Sequence, residues 1–498
     1  MSYVVHGPVG GLRPSTEPRQ DTLGRTTQAM LREKQTCKPF SSTQGDNDVM
    51  SHRFPRDAVA VAVESLSWMD MEGLSERLAF AKTMRQLGVH DADSLRAAFL
   101  LVIETVRSLN LVDRIASSIL SKEYLDDLDL GKRNFLRIFI WWSLLRKSGL
   151  KESVALLEDA RHVLGWDTLA DLEFAFGKIL SWDLRKFLDS FSELEQTALK
   201  TFNRVWFVSY CYKAFGRNFA LGYLKAARRA PPTYLAVNTL RGAEESLVRE
   251  IEQDGVTLAP VKDLDGLFRV VQKRKPLTQT RAYRQGFFRI QDKSSYLSTV
   301  VADPKKDDTV LDLCAAPGGK TSHIALEIED SGAIYSIDYS HRRMAVWKRE
   351  MERCNVSCAV PIVADARQSV PIKKSFDLVV VDPPCTNSGV IGKMPSSKWR
   401  LTANSLTRLC QTQREILRTA AEAVKPGGRL IYSTCSIMIE ENESQIERLL
   451  RLNPELKLER HTPFIGQKGL RGLSACQRLY PHLNECNGYF IASLKKEY

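Results

Sequence analysis

Between Arg56 and about Phe215, apolar residues recur every three to four positions, through stretches such as AVAVESLSWM, LSERLAFAKTM, SLRAAFLLVIETVRSLN, NFLRIFIWWSLLRK and ESVALLEDARHVL. That period puts them on one face of successive helices, and no two-residue alternation interrupts it. An all-α domain over residues 55–215 is predicted. Phe135, Leu136, Phe139, Ile140 and Trp142 are the expected core of its central helix. Ahead of it, residues 1–54 mix Gly, Pro, Ser, Thr and Gln without a sustained period and are expected to be a disordered tail. The paired prolines of AARRAPPT, residues 226–233, break the helical period and predict a domain joint. YLAVNTL, a helical EESLVREIEQDG, VTLAPV and LFRVV then predict a small α+β segment within residues 216–285.

From Gly286 the pattern changes to continuous apolar runs (TVLDL, AIYSID, AVPIVAD, FDLVVVD, RLIYSTCS) separated by helical stretches. Strands buried on both faces between helices predict an α/β, doubly wound, Rossmann-like domain over residues 286–498. Val424 to Gly428 reads as a helix stop before the fifth strand, and GYFIASL as a late antiparallel strand at a sheet edge.

On such sheets ligands bind beyond the carboxyl ends of the strands, so the residues there carry the chemistry. The first strand runs into LDLCAAPGGKT, a glycine turn opening a helix, where free backbone N–H groups can meet a ligand. It is not a phosphate-binding P-loop, because Cys314 stands where that loop needs glycine. The next strands end in Asp338, Asp365, Asp382-Pro383-Pro384-Cys385 and Thr434-Cys435-Ser436. Taken singly, the aspartates read as helix caps or turn residues and the cysteines as small core residues. Their repetition at strand end after strand end favours a shared site.

Charge adds a partner: a formal net charge of +12 points to a polyanion, nucleic acid first. Lys273, Arg274, Lys275, Arg281 and Arg284 lie just before the α/β domain, placed to hold phosphates near its ligand. Arg96, Arg107, Arg114, Arg133, Arg137 and Arg146 are either an RNA-facing surface or ordinary solvated helix positions. The ten cysteines form no CxxC pair, so no metal site is expected and a reducing compartment fits. No apolar run is long enough to cross a bilayer, and a cytoplasmic, monomeric protein without membrane contact is expected.

The segments LDLCAAPGGKT, VVVDPPCTNSGVIGK and LIYSTCSIMIEENE resemble the motifs of the Sun-type RNA 5-methylcytosine methyltransferases, over about Thr233 to the C-terminus. ETVRSLNLVDRIASSIL with KRNFLRIFIWWSLL resembles the NusB-like RNA-binding domain of their RsmB-like branch. The resemblance implies methylation of cytosine C5 in RNA, with S-adenosylmethionine as cofactor and rRNA as substrate, tRNA being the alternative. It implies Cys435 as the nucleophile that adds to C6 and Cys385 as an aid to product release. Asp382 would hydrogen-bond the cytosine N3/N4 edge, and Lys320 would position the methionine end and the catalytic centre. Cys314, Ala315, Ala316, Pro317, Gly318, Gly319 and Lys320 would wrap the methionine moiety, Asp338 the ribose and Asp365 the adenine amino group, with Asp382 also on the cofactor side. The chain has DPPC where many relatives have DAPC, and Val237 where relatives often place an arginine before the Asn238 counterpart. Two other readings stand beside this one: an amino-group methyltransferase, whose (D/N)PP motif needs an aromatic residue where this chain has Cys385, and a non-catalytic RNA-binding assembly or transcription factor.

Overall fold

The computed structural model describes residues 55–498 except Arg56, Ser369 to Pro371, Lys373 and Lys374, so the expected tail lies outside the described residues. The chain divides into two compact units, Met1–Ser190 and Phe191–Tyr498.

The first unit is helical throughout its described residues, as its periodicity predicts. Helix Leu130–Ile140 buries Phe135, Leu136, Phe139 and Ile140 almost completely, and Trp142 follows in a short π-helical turn. Asp129 opens that helix by accepting from Lys132 N (2.8 Å), and Asp91 caps Ala92–Arg107 by accepting from Ser94 N (2.7 Å). The scattered arginines are mostly structural. Arg137 bridges Asp70 and Asp113, Arg133 and Arg107 pair with Asp70 and Glu104, Arg96 pairs with Asp93, and Arg146 lies over the Trp142 ring.

Helices Glu193–Lys200, Val205–Phe215 and Arg217–Ala226 belong to the second unit, so the boundary falls at Ser190/Phe191, earlier than residue 215. The reason is packing. Phe207, Val208, Cys211, Tyr223 and Leu224 share a core with Ile391, Leu401, Ile437, Met438 and Tyr480 of the α/β part. Helical period alone cannot tell which core a helix joins.

The small segment is a four-stranded antiparallel sheet: β1 (Tyr234–Val237), β2 (Val256–Pro260), β3 (Leu267–Lys273) and β4 (Phe288–Ile290), in the order β2-β3-β1-β4. It runs past the expected end at 285 because β4 completes it. Two of the expected phosphate-binding cations already have carboxylate partners, Lys275 with Asp254 and Arg281 with Glu250. Asn238 is structural: buried, it donates from Nδ2 to the Gly286 and Cys354 carbonyls (2.9 and 2.8 Å).

The large sheet contains β5 (Thr309–Leu313), β6 (Ala333–Asp338), β7 (Ala359–Val363), β8 (Phe376–Val381), β9 (Val424–Thr434), β10 (Leu456–Glu459), β11 (Gln467–Lys468), β12 (Gln477–Leu479) and β13 (Tyr489–Lys496). Its order is β11-β12-β13-β9-β8-β5-β6-β7, parallel from β9 to β7, with β10 paired to β13. The strand order reverses around β5 and β8, which opens a crevice at their carboxyl ends. Two expectations change. β13 is antiparallel, but it lies inside the sheet between β9 and β12 instead of at an edge. The preceding helix, Ala403–Ala423, does stop before Val424, yet the Lys-Pro-Gly-Gly stretch is itself the start of β9, where the register against β8 shifts.

Candidate active site

The turn after β5 is held by backbone geometry. Cys314 takes a left-handed φ of 68°, Ala315 N donates to Ile337 O on β6 (2.9 Å), and Arg343 donates to Ala316 O. Gly318 (φ 109°) precedes helix Gly319–Glu327, and a Cβ there would lie 2.8 Å from Met351 Cε and 3.1 Å from Trp347 Cδ1. The turn therefore rests directly on the helix His341–Cys354, and only glycine permits the contact. Burial pushes the Cys314 thiol up, which keeps it protonated and unsuited to attack.

Lys320, on the first turn of helix Gly319–Glu327, is buried and ion-paired with Asp382 at the end of β8; its Nζ also lies 3.4 Å from Ser295 Oγ. Burial opposes its charge, but Asp382 outweighs burial and holds the ammonium above its ordinary pKa. Beneath it Asp312, buried within β5, accepts from Thr321 Oγ1 (2.6 Å); burial raises its pKa to about 7. Tyr489 of β13 closes this side, its hydroxyl 3.1 Å from Ser433 Oγ and its pKa pushed by burial to about 12.

The two strand-end cysteines meet. Cys385 Sγ, after β8, and Cys435 Sγ, after the neighbouring β9, are 3.2 Å apart, and Cys435 Sγ donates to Asn387 Oδ1 at 2.9 Å. The hydrogen bond with Cys435, and then burial, push the Cys385 thiol well above its usual pKa. The loops carrying them are fastened by buried Glu441. Its Oε1 accepts from Thr386 N (2.8 Å) and Gln413 Nε2 (3.0 Å), and its Oε2 from Thr386 Oγ1 and Ser436 Oγ (both 2.5 Å). Gly389 permits the closest approach: a Cβ there would stand 2.0 Å from Gly488 O and 2.8 Å from Cys435 O.

On the other side of the turn lies a cleft of about 310 Å³ whose walls include Cys314, Asp338, Tyr339, Arg343, Asp365 and Pro384. Asp338 is 2 % exposed, accepts from Ser340 N (3.1 Å) with Oδ1 and lies 3.1 Å from Arg343 Nη1 with Oδ2, which receives no hydrogen bond. A buried carboxylate oxygen beside a glycine turn, ion-paired with Arg343 but receiving no hydrogen bond, has acceptor capacity left for a hydroxyl-bearing ligand such as a nucleoside, so the residues fit the expected cofactor. Asp365 borders the cleft, with its carboxylate engaged by Arg367 Nε and Nη2 (3.0 and 2.6 Å), whose hydrogen bonds hold its pKa low.

The strand-end residues singled out in the sequence thus fall into three groups at the carboxyl ends of the parallel strands: Cys314, Asp338 and Asp365 line the cleft, Lys320 pairs with Asp382, and Cys385 meets Cys435. Sequence reasoning missed Asp312, Asn387, Glu441 and Tyr489. Asp312 carried a signal, since a carboxylate inside the apolar run TVLDL demands a partner, and Glu441 and Tyr489 stood unexplained inside the stretches LIYSTCSIMIEENE and GYFIASL.

Residues 299–495 match the family described as 16S rRNA methyltransferase RsmB/F. The chain is 35% identical over 224 residues to a tRNA (cytosine(72)-C(5))-methyltransferase of Pyrococcus horikoshii, covering 45% of this chain and 56% of that one. It is 29% identical over 323 residues to a probable ribosomal RNA small subunit methyltransferase B of Bacillus subtilis, covering 63% and 71%. The crystal structure of PH0851 superposes with a TM-score of 0.77 at 28% identity, over 89% of this chain and 99% of that one. Of the first two relatives it matches, the chain spans 56% and 35% of the length.

Proposed function

From the match of residues 299–495 to the RsmB/F methyltransferase family, we propose that the protein methylates C5 of cytosine in RNA with S-adenosylmethionine as donor. The observation that carries this reading is the meeting of Cys385 and Cys435, 3.2 Å apart, with the Lys320–Asp382 ion pair anchored three residues before Cys385. Methyl transfer to an oxygen or an exocyclic nitrogen needs no nucleophilic side chain. Transfer to C5 does, because that carbon is a poor nucleophile until a group has added to C6.

Cys435 supplies that group: its thiol gives up its proton to solvent, and the resulting thiolate forms the Sγ–C6 bond while the C5–C6 π pair moves to C5. The cofactor, when bound, supplies an electrophilic methyl carbon on a sulfonium centre. Asp382, held by Lys320, takes the N3/N4 edge of the base, fixing its plane over the thiols. After transfer a base removes the C5 proton, the C5–C6 double bond re-forms, and the Sγ–C6 pair returns to sulfur. Cys385, kept protonated beside Cys435, stands against the departing thiolate and aids release. Cys314 to Lys320, Asp338 and Asp365 hold the cofactor around the cleft. The target base must be unstacked to reach the thiols, so the substrate is a loop, an end or an opened helix. The rRNA name of the matched family favours rRNA over tRNA, and the helical first unit serves as a NusB-like RNA-binding domain.

The test is a pair of variants assayed with labelled cofactor and cellular RNA lacking the modification. Cys435→Ala is expected to abolish methyl transfer, and Cys385→Ala to accumulate a protein–RNA adduct that survives denaturing gel electrophoresis. Full activity in Cys435→Ala, with adduct formation lost only in Cys385→Ala, would reverse the assignment.

A further inference from the structure

Away from the crevice, the second unit carries a groove of about 610 Å³ that the methyl-transfer chemistry does not use. One wall is the corner of the helices Val205–Phe215 and Arg217–Ala226, presenting Phe215 and Phe219; the other is the segment from Arg460 to Leu470, presenting Phe464 and the sheet-edge strand β11. Three phenylalanines at its rim are only half-buried, although apolar rings of this size are ordinarily covered. Arg460 and Lys468 are exposed and form no ion pair among the described residues, and no carboxylate lines the groove. The Arg460 guanidinium carbon lies 5.4 Å from the Phe464 ring centroid.

The groove is mechanically tied to the nucleophile's loop. Tyr480 at its floor lies 3.2 Å from Arg478 Nη1, which donates to Ile437 O at 3.0 Å, two residues beyond Cys435. Arg478 is buried and paired with Glu443, so its charge is spent inside the wall, leaving Arg460 and Lys468 as the cations facing outward.

We infer that this groove is a subsite for an unpaired stretch of the RNA substrate, in which bases stack on Phe464 and Phe215 and phosphates meet Arg460 and Lys468. Half-buried aromatic rings with unopposed cations beside them match single-stranded nucleic acid: the rings accept any base, and the cations follow the backbone. An acidic peptide would satisfy the cations and leave the rings without flat partners. A double helix would bring the phosphates and keep its bases stacked away. The inference rests on the RNA-methylation reading and extends it, because a target cytosine drawn out at Cys435 leaves neighbouring nucleotides that need a platform.

The test measures binding of a fluorescein-labelled single-stranded RNA of about 12 nucleotides, and of its blunt duplex, to the full chain by anisotropy. Phe464→Ala and the double variant Arg460→Ala/Lys468→Ala are expected to weaken single-strand binding by about fivefold to tenfold, with Phe464→Trp close to wild type. Thermal stabilisation by S-adenosylmethionine serves as the folding control and is expected to be unchanged in each. With 4-thiouridine in the RNA, photocrosslinks are expected on peptides containing Phe215 or Phe464. Affinities within twofold of wild type in both variants, equal losses for duplex and single strand, or crosslinks confined to other peptides would overturn the subsite. Groove-dependent binding without methyl transfer by the wild type would remove the catalytic reading alone, and methyl transfer with groove-independent binding would remove the subsite alone.

Discussion

Asp312 shows what a single buried residue does beneath a cofactor turn. Within β5, its carboxylate is removed from water and compensated chiefly by one hydroxyl, so its pKa rises from the usual carboxylate range to about 7. The folded state therefore binds this proton more tightly than the unfolded chain. Its stabilising contribution is fully present below the unfolded pKa near 4 and is lost as pH rises through about 7. Asp312→Asn keeps an acceptor for Thr321 and removes the titration. In thermal melts, the variant's melting temperature relative to wild type is expected to rise between pH 5 and 8, by the equivalent of at least one pKa unit, about 1.4 kcal/mol. A constant difference across that range would show that Asp312 does not titrate there. The residue was half legible: the run TVLDL announced a buried acid, but its partner Thr321 lies past a turn whose course the sequence does not state.

At the scale of elements, the site depends on two loops leaving neighbouring strands and staying together. Glu441 performs the fastening, accepting four hydrogen bonds, three of them from Thr386 and Ser436, which follow Cys385 and Cys435 directly in the chain. Glu441→Ala would leave those donors buried without acceptors, at about 1–3 kcal/mol for each one that water cannot reach. The variant is expected to lose at least about 2 kcal/mol of stability in denaturant titrations. Its kcat is expected to fall at least about tenfold even under conditions where it stays folded, because small misplacements of reacting groups cost that much. Gly389→Ala separates the same loops sterically, since its Cβ would overlap Gly488 O. The expected outcome is loss of methyl transfer with cofactor binding retained, read as an unchanged S-adenosylmethionine thermal shift. Strand ends were legible because buried parallel strands are continuous apolar runs with abrupt polar ends. The short β10, β11 and β12, with at most four residues each, were not legible, since their pairing is set by contacts with β13 and each other instead of by local pattern.

At the scale of the molecule, the same limit explains the shifted domain boundary. Helices 193–226 have the period of the helices before them, and only the apolar surface around Ile437, Met438 and Tyr480 assigns them to the second unit. Their position has a functional consequence. Tyr210, on helix Val205–Phe215, accepts from Ile439 N (2.8 Å) and donates to Glu440 Oε2 (2.7 Å), so the helix is bonded to the loop that carries Cys435 and Glu441. Cofactor binding should therefore be felt within the second unit and leave the first unit's helices untouched. A ligand held only by the folded state at about 100 times its Kd stabilises by about 2.7 kcal/mol, and that gain falls on the cooperative unit containing the site. Hydrogen exchange on the full chain, with and without S-adenosylmethionine, is expected to show added protection at the turn after β5, at the end of β6 around Asp338 and beside Asp365. Helices Ala58–Glu72 and Leu130–Ile140 should exchange at unchanged rates. Asp338→Ala should erase the effect, because it removes the buried acceptor that the cofactor's hydroxyls would satisfy. Protection spread equally over both units would mean that they fold as one, and the division at Ser190 would have no thermodynamic meaning.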